Sequence, residues 1–247
     1  ERGWGIEGDS SIAFERLVRL GAPDWFRLTD RDLATCLRRR QMLDEGLRPT
    51  QAQARIAAGL GVAASVLPMS DDPVRTRVRT TAGWRGFQEY LILDRAEPPI
   101  EEIEFAGVHE AAPTPEVLAA IQAADAIVIG PSNPVISIGP ILAVPGMRGA
   151  IAASAAPVVA VSPFVAGRAI KGPTERFMAA VGRDPSAAGV AATYGELLDG
   201  IVVDASDPGP PPDRPASVAV PTLMDDAAAR RRVAERTLEF AASLRGG

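Results

Sequence analysis

The sequence predicts an α/β protein with a doubly wound parallel sheet and a smaller α+β lobe. Short apolar runs such as "AIVI", "VVAV" and "GIVV" recur in the second half of the chain, and such runs are typical of parallel strands buried on both faces. Helical patterns separate these runs, which is the alternation of a Rossmann-like core. We therefore predict a helical and hairpin lobe over residues 1–110, inserted in the fold, and a core over residues 111–247 that carries the candidate binding loops.

The lobe begins with three predicted helices between residues 9 and 61. The clearest is "TDRDLATCLRRRQMLDEG", which opens on Thr29 and Asp30 as candidate cap residues and stops at a glycine. The segments "ASVLP" and "VRTRVRTT" are predicted strands, the second because Val and Thr alternate with Arg. A turn at Ala82-Gly83 followed by the run "FQEYLIL" predicts a hairpin.

The core begins with the predicted helix "TPEVLAAIQAAD", which has Thr114 as its cap and Pro115 in its first turn. Strand "AIVIG", a helix near "PILAVPGMRGAIAAS" and strand "VVAV" follow. Two helical segments, "PTERFMAAVG" and "PSAAGVAATYGELL", precede strand "GIVVD". A Pro-rich loop, strand "SVAV" and a long helix from Asp225 complete the predicted core.

Composition narrows the classes of function. The net charge of −5 over 247 residues gives no basic field for nucleic acid or an anionic membrane. Cys36 and His109 are the only residues of their types, so neither an internal disulfide nor a histidine metal site is expected, and both residues are interpreted as structural. A metal would be a hard ion held by carboxylates, such as Mg²⁺. Without a recognisable signal peptide or membrane-spanning run, we expect a cytoplasmic protein with small-molecule partners.

The first candidate site is the loop "GPSNPVISIGP", which follows strand "AIVI". Loops at the carboxyl ends of parallel strands face a ligand crevice, and hydroxyls, amides and free N–H groups there can hold a phosphate. A rigid strand-to-helix turn capped by Asn and Ser is the alternative interpretation. The candidate phosphate-binding residues are Pro131, Ser132, Asn133, Ser137 and Gly139.

A second loop repeats this pattern one strand later. In "VVAVSPFVAGRAIKGPTERF", Ser162 follows the strand, and Lys171 and Gly172 precede the next helix. Lysine beside a glycine is a frequent phosphate partner, although the glycine spacing is not that of a P-loop. Lys171 as a solvated loop residue is the alternative.

Carboxylates cluster at two further places. "LPMSDDP" places Asp71 and Asp72 next to each other, and "TDRD" places Asp30 and Arg31 at a helix start. Helix capping explains such acids structurally. The functional alternative is a magnesium ligand or an acceptor-binding pair, with Arg31 holding a ring carbonyl or a phosphate. The arginines of "VRTRVRTT" are interpreted as a solvated strand face.

The segments "LTDRDLAT", "LPMSDDPV", "FQEY", "GPSNPVISIGPILAVPGMR", "SPFVAGRAIKGPT" and "LLDGIVVD" resemble the 2-phospho-L-lactate transferase family of coenzyme F-420 biosynthesis. The likeness covers nearly the whole chain, and the Ala- and Arg-rich composition resembles the actinobacterial phosphoenolpyruvate transferase branch. The resemblance implies transfer of an enolpyruvyl or lactyl phosphate from a guanosine diphosphate-linked donor to the ribityl hydroxyl of the deazaflavin FO, with GMP released. It does not distinguish the two donors.

The same resemblance implies roles for the candidate residues. Arg31, Asp30, Met69 and Ser70 would contact the deazaflavin, and Asp71 and Asp72 are candidate catalytic residues or metal contacts. The "PSNP" and "KGPT" loops would bind the donor's diphosphate and guanosine. A Mg²⁺ cofactor and a homodimer are also expected, whereas nucleic-acid and membrane partners are not.

The sequence departs from the family pattern in three respects. Thr29 stands where relatives usually carry glycine, and Cys36 where they carry histidine. The pattern also opens with a strand, a glycine-rich turn and an aspartate, which we expect before Glu1 together with the principal metal ligand; a chain beginning at Glu1 would be inactive.

Two other functions remain open. A sister branch of the same fold binds UDP-sugars and acts in regulation, but it tends to read "GPGSLYTS" where this chain reads "GPSNPVIS". A generic nucleotide-binding domain is the third possibility, and it would bind guanine nucleotides without deazaflavin.

Overall fold

A computed structural model describes residues 8–246. Residues 1–7 of the predicted lobe and residue 247 of the predicted core lie outside the described residues. The elements before residue 110 are three helices, a three-stranded sheet and a short helix between its strands. They are α1 (Ile12–Arg19), α2 (Asp30–Asp44), α3 (Pro49–Gly59), β1 (Arg75–Thr80), β2 (Gly83–Gly86), α4 (Phe87–Ile92) and β3 (Glu102–Ala106).

The elements after residue 110 alternate between helices and strands, as the sequence predicts. They are α5 (Pro115–Gln122), β4 (Ile127–Ile129), α6 (Gly139–Ala143), α7 (Met147–Ala152), β5 (Val158–Val161), β6 (Phe164–Val165), β7 (Arg168–Ala169), α8 (Thr174–Ala180), α9 (Ala187–Tyr194), β8 (Gly200–Asp204), β9 (Ala216–Val220) and α10 (Ala227–Ser243). Short 3₁₀ turns follow α9 and α10.

The four-stranded sheet has the order β4-β5-β8-β9 and is parallel throughout. Side chains of β5 alternate between two hydrophobic clusters: Val158 and Ala160 belong to the larger, and Val159 and Val161 to the smaller. Helix α10 covers the smaller cluster, whereas α7, α8 and α9 supply residues to the larger. Helices therefore cover both faces of the sheet, which confirms the predicted α/β architecture.

The larger cluster takes residues from both sides of position 110. Val78 of β1 and Tyr90 of α4 lie in it together with Ile129 of β4 and Phe177 of α8. The Tyr90 ring meets the Phe177 ring edge-on at a centroid distance of 5.9 Å. The division into a lobe and a core stays a prediction, but the two parts share this cluster.

Two predicted strands are wrong. The segment "FQEYLIL" forms helix α4 because Phe87, Tyr90 and Leu91 follow helical spacing, and because Glu89 Oε2 accepts a hydrogen bond from Gly86 N at 2.9 Å and closes the first turn. The hairpin partner of β1 is instead β2. The segment "ASVLP" belongs to none of the sheets in residues 8–246, and its Val66 is 42% exposed.

Two further details differ from the sequence prediction. Strand β3, which pairs antiparallel with β1, was not predicted. The helix expected near "PILAVPGMRGAIAAS" is two helices, α6 and α7, because Pro145 cannot donate a backbone hydrogen bond and Gly146 has a φ of 87°. Within residues 8–246, no helix is both long and apolar enough to cross a membrane.

Candidate functional site

The loops after β4, β5 and β9 meet at the carboxyl edge of the four-stranded sheet and line a cavity of about 690 Å³. Ligand sites of open parallel sheets lie at this edge, and their volumes are commonly about 300–1,000 Å³. The lining residues come from these loops, from α4 and from the start of α10. They are Phe87, Leu91, Pro131, Ser132, Asn133, Ile136, Ser137, Ser162, Pro163, Val165, Ile170, Lys171, Gly172, Pro173, Thr174, Thr222, Leu223, Met224, Asp225 and Arg230.

Asn133 shapes the loop after β4. Its Oδ1 accepts hydrogen bonds from Val135 N at 2.9 Å and Ile136 N at 3.1 Å, and its backbone carbonyl accepts from Ser137 N at 3.0 Å. This local bonding is the capped turn that the sequence allowed as an alternative. The turn nevertheless leaves Ser132 and Ser137 exposed at the cavity, so the structural and binding interpretations are compatible.

The loop after β5 contains a small hairpin, β6–β7, and lines the cavity on both sides of it. Ser162 is 1% exposed, and its Oγ accepts from Phe164 N at 3.2 Å. Lys171 and Gly172 follow the hairpin, and Thr174 begins α8. Asn133 Nδ2 lies 3.5 Å from Thr174 Oγ1 and donates to it, which joins the loop after β4 to the loop after β5.

The segment after β9 was missed by the sequence analysis. Thr222 and Asp225 line the cavity, and Arg230 reaches it from the first turns of α10. The available signal was the same one used for the other loops: "SVAV" is a strand followed by polar residues. With Lys171, Arg230 gives the cavity two cationic side chains, and Asp225 supplies the carboxylate among its lining residues.

The structure brings most of the predicted donor residues to this cavity: Pro131, Ser132, Asn133, Ser137, Ser162, Lys171 and Gly172. Gly139 does not line it. A Cβ at Gly139 would lie 3.2 Å from Cζ of Phe105 and 3.3 Å from the carbonyl oxygen of Pro134. The glycine therefore permits close packing of α6 against β3, and its binding role stays a prediction.

The predicted acceptor and catalytic residues lie outside the cavity lining. Asp30 Oδ1 accepts from Ala13 N at 3.0 Å and its Oδ2 from Ile12 N at 3.2 Å, so Asp30 caps α1. The hydrogen bond from Ser10 Oγ is the main cause that lowers the pKa of Asp30. The Arg31 side chain is exposed, and the Arg31 backbone N–H points to Asp9 at 3.3 Å.

Asp71 joins α3 to α5. Its Oδ1 accepts hydrogen bonds from Thr50 N at 2.7 Å and Thr50 Oγ1 at 2.8 Å. Its Oδ2 forms an ion pair with the Arg48 guanidinium at 2.7 Å, and the same guanidinium pairs with Glu116 at 2.6 Å. Burial opposes the ionisation of Asp71, but the bonds from Thr50 and Arg48 outweigh it and lower the pKa. The carboxylate is therefore ionised and already engaged by protein donors.

Asp72 and its neighbours are held more locally. Asp72 Oδ2 accepts from Ala112 N and from Ser70 Oγ, each at 3.3 Å. Ser70 is 6% exposed, and Met69 packs against the larger hydrophobic cluster. The acceptor and catalytic roles of these residues stay predictions.

Within residues 8–246 no group of three or more His, Cys, Asp or Glu side chains could hold a metal ion. Since Mg²⁺ commonly binds through one or two carboxylates together with substrate phosphates, Asp225 is the lining carboxylate available for such a contact.

Comparisons with known proteins agree with this arrangement. The model of the family described as 2-phospho-L-lactate transferase CofD matches residues 11–235. The chain is 42% identical to a phosphoenolpyruvate transferase of Kitasatospora aureofaciens over 257 residues, covering 100% of this chain and 80% of that protein. It is 40% identical to a 2-phospho-L-lactate transferase of Methanosarcina mazei over 207 residues, covering 84% of this chain and 68% of that protein.

Solved structures show the same fold at much lower sequence identity. A crystal structure of a UPF0052 family member from Bacillus halodurans is 20% identical, with a TM-score of 0.57, and the match covers 82% of this chain and 70% of that one. A second crystal structure of a Bacillus halodurans protein is 18% identical, with a TM-score of 0.61, and covers 86% and 72%. At this identity the likeness supports the fold alone.

Proposed function

This chain belongs to the 2-phospho-L-lactate transferase CofD family, and from that premise we propose that it transfers a phosphoenolpyruvyl or 2-phospho-L-lactyl group from a guanosine diphosphate-linked donor to the deazaflavin FO. The reaction belongs to coenzyme F-420 biosynthesis. The observation that carries the proposal is the cavity at the carboxyl edge of the parallel sheet, which the "PSNP" and "KGPT" loops line together.

The chemistry of the cavity suits a dianionic diphosphate. Lys171 and Arg230 supply cationic donors, and Ser132 and Ser137 supply hydroxyls. Charge-assisted hydrogen bonds of this kind are about twice as strong as neutral ones. Leu223 and Met224, together with Phe87, add an apolar part to the lining, against which a nucleobase can pack.

In the proposed reaction, the terminal ribityl hydroxyl oxygen of FO forms a bond to the phosphorus that carries the enolpyruvyl or lactyl group. The bond from that phosphorus to the bridging oxygen breaks, its electron pair leaves with GMP, and the hydroxyl proton passes to solvent or a base. Such a transfer requires positioning and charge neutralisation rather than a covalent intermediate. The cationic side chains would neutralise charge on the donor phosphates, and the rigid Asn133 turn would position its loop against them.

The acceptor side of the reaction is assigned to Arg31, Asp30, Met69 and Ser70, with Asp71 and Asp72 as candidate catalytic residues. Arg31 is the member of this set whose exposed guanidinium has the donors that a ring carbonyl or phosphate needs. Mg²⁺ is proposed as the cofactor; when bound it would neutralise phosphate charge, with ligands from the donor as well as from protein. A homodimer is the proposed assembly.

The test is turnover of the full-length protein with FO, Mg²⁺ and the enolpyruvyl and lactyl guanosine donors in competition, with products read by mass spectrometry. We expect a deazaflavin phosphodiester and GMP in equal amounts, with the product mass naming the transferred acid. EDTA should abolish the product and excess Mg²⁺ should restore it. Binding of UDP-sugars with no phosphodiester would instead support the sister branch, and full activity after Arg31→Ala together with Asn133→Ala would remove the assigned binding roles.

A further inference from the structure

One buried carboxylate, Asp204 at the end of β8, receives hydrogen bonds from three segments, two of which form part of the cavity wall. Its Oδ2 accepts from Thr222 N at 2.7 Å and from Thr222 Oγ1 at 3.0 Å. Its Oδ1 accepts from Ser206 N at 2.9 Å and from Ala166 N at 3.4 Å. Asp204 is 4% exposed, so a charge there requires these donors.

The bonds reach two of the loops that form the cavity wall. Thr222 lines the cavity and is 3% exposed, and it begins the segment that continues to Asp225. Ala166 lies at the turn of the β6–β7 hairpin, whose Val165 lines the cavity before the chain reaches Lys171. Asp204 itself does not line the cavity, so it can act on a ligand only through these loops.

The hairpin turn is an unusual conformation that needs support from outside. Val165 and Arg168 pair across the hairpin, and the two residues between them have φ values of 50° at Ala166 and 76° at Gly167. Two consecutive positive φ values define a type I′ turn, and alanine adopts this region at a cost. A backbone strained in this way persists where contacts with the surrounding structure hold it in place.

The loop after β8 supplies that support. The N–H of Ala166 donates to Asp204, and the N–H of Gly167 donates to Asp207 Oδ1 at 2.8 Å. A Cβ at Gly167 would lie 2.8 Å from Cδ of Pro208, so the turn packs directly on the same loop. The two central backbone amides of the turn donate to no atom across the hairpin. They donate instead to one carboxylate at the end of β8 and one in the loop that follows it.

We propose that Asp204 is a positioning residue of the donor cavity: it holds the β6–β7 hairpin and the segment of residues 222–225 in a fixed relation to each other. This inference rests on the proposed function in taking the cavity as the nucleotide site. Burial opposes the ionisation of Asp204, but its hydrogen bonds, first of all that from Thr222 N, outweigh it and lower the pKa. The group is therefore an anion at neutral pH and can accept all four bonds.

The test replaces one carboxylate oxygen by a donor group. In Asp204→Asn, the amide nitrogen must face either the Thr222 donors or those of Ser206 and Ala166, so one loop loses its acceptor. The matched control is Asp199→Asn, because Asp199 Oδ2 accepts from Val158 N at 2.7 Å at the opposite edge of the same sheet. Each substitution removes the negative charge of a carboxylate that accepts a hydrogen bond from a backbone N–H group.

GDP affinity is measured by calorimetry, and the KM values for donor and acceptor by turnover. We expect Asp204→Asn to raise the GDP Kd and the donor KM by about 10- to 100-fold, with the acceptor KM within about twofold. Asp199→Asn should leave the GDP Kd within about twofold. An equal loss of GDP affinity in both variants, or no loss of affinity in Asp204→Asn, would overturn the inference.

Amide hydrogen exchange without ligand separates this inference from the proposed function. Asp204→Asn should speed exchange in residues 164–172 and 220–225 while β5 and β8 remain protected, and unchanged exchange there would overturn the inference whatever the ligand proves to be. If the wild-type protein does not bind GDP, the proposed function fails and this comparison alone decides the role of Asp204. If Asp204→Asn does not fold, Thr222→Val, which removes only the hydroxyl bond to Asp204, should speed exchange in residues 220–225, and Thr222→Ser, which keeps the hydroxyl, should not; equal exchange in these two variants would then overturn the inference.

Discussion

At the scale of single residues, the cationic groups of the cavity come from two different elements. Lys171 belongs to the loop before α8, and Arg230 to the first turns of α10. Lys171 could be predicted because it lies beside a glycine and just before a helix. Arg230 could not, because it is the first of three consecutive arginines on a helix, and only the packing of α10 on the sheet decides which of them faces the cavity.

The neighbouring arginine provides a matched test of this placement. We expect Arg230→Gln to raise the Kd of GDP by about tenfold, the loss of one charge-assisted hydrogen bond of about 1.5–3 kcal/mol partly offset by solvent. Arg231→Gln removes the same charge from an exposed position outside the cavity lining and should leave the Kd within about twofold. Calorimetry measures both, and equal weakening would mean that net charge rather than position controls binding.

Asp71 illustrates how a functional prediction and a structural one can be separated. Asp71→Asn should lower the free energy of unfolding by about 1–3 kcal/mol at pH 7, because it leaves the Thr50 and Arg48 donors imperfectly paired. The pKa of Asp71 is lowered from its ordinary value of 3.8, so this stabilisation is present above pH 3.8 and is lost as the pH falls through the folded-state pKa. The difference in the free energy of unfolding between wild type and Asp71→Asn should therefore disappear over that pH range.

Denaturant titrations at several pH values check this expectation. The control is Asp125→Asn, since Asp125 is a surface acid whose side chain is 96% exposed, and it should change stability by less than about 0.5 kcal/mol. Unchanged stability in Asp71→Asn together with lost turnover would assign Asp71 to the chemistry instead.

At the scale of elements, the local sequence was enough to predict a helix or strand where a cap or a continuous apolar run marks it. Thr114 Oγ1 accepts from Val117 N at 3.2 Å and starts α5 as expected. The strand prediction was wrong at α4, where an apolar and aromatic run was taken for a strand although Phe87, Tyr90 and Leu91 have helical spacing, and burial of Tyr90 against Phe177 holds the helix in place. It also failed at β3, which depends on pairing with β1 rather than on its own residues.

Two helical glycines should respond in opposite directions to alanine. Gly149 lies in α7 with open space where a Cβ would be, so Gly149→Ala should stabilise the protein by about 0.4–1 kcal/mol. At Gly189 in α9, a Cβ would lie 1.8 Å from the carbonyl oxygen of Asp184, so Gly189→Ala should destabilise by about 1–3 kcal/mol. Thermal and denaturant unfolding measure both, and changes of the same sign would contradict the packing of α9.

At the scale of the whole molecule, the candidate site exists because a parallel sheet gathers the ends of its strands at one edge. Residues as distant in sequence as Ser132 and Arg230 line one cavity for this reason. The rule that ligands bind at this edge allowed the loops after β4 and β5 to be predicted as partners. It did not reveal that Asp204 ties the loop after β5 to the segment after β9, because such contacts depend on the three-dimensional course of irregular loops.

A crystal structure of the full-length protein with GDP tests the central claim most directly, namely that this cavity is the donor site. We predict that the diphosphate contacts the loop containing Ser132 and Ser137 and the side chain of Lys171 or Arg230. The guanine should pack against Leu223 and Met224. GDP bound away from the carboxyl edge of the β4-β5-β8-β9 sheet, with this cavity left to solvent at saturating nucleotide, would contradict the account.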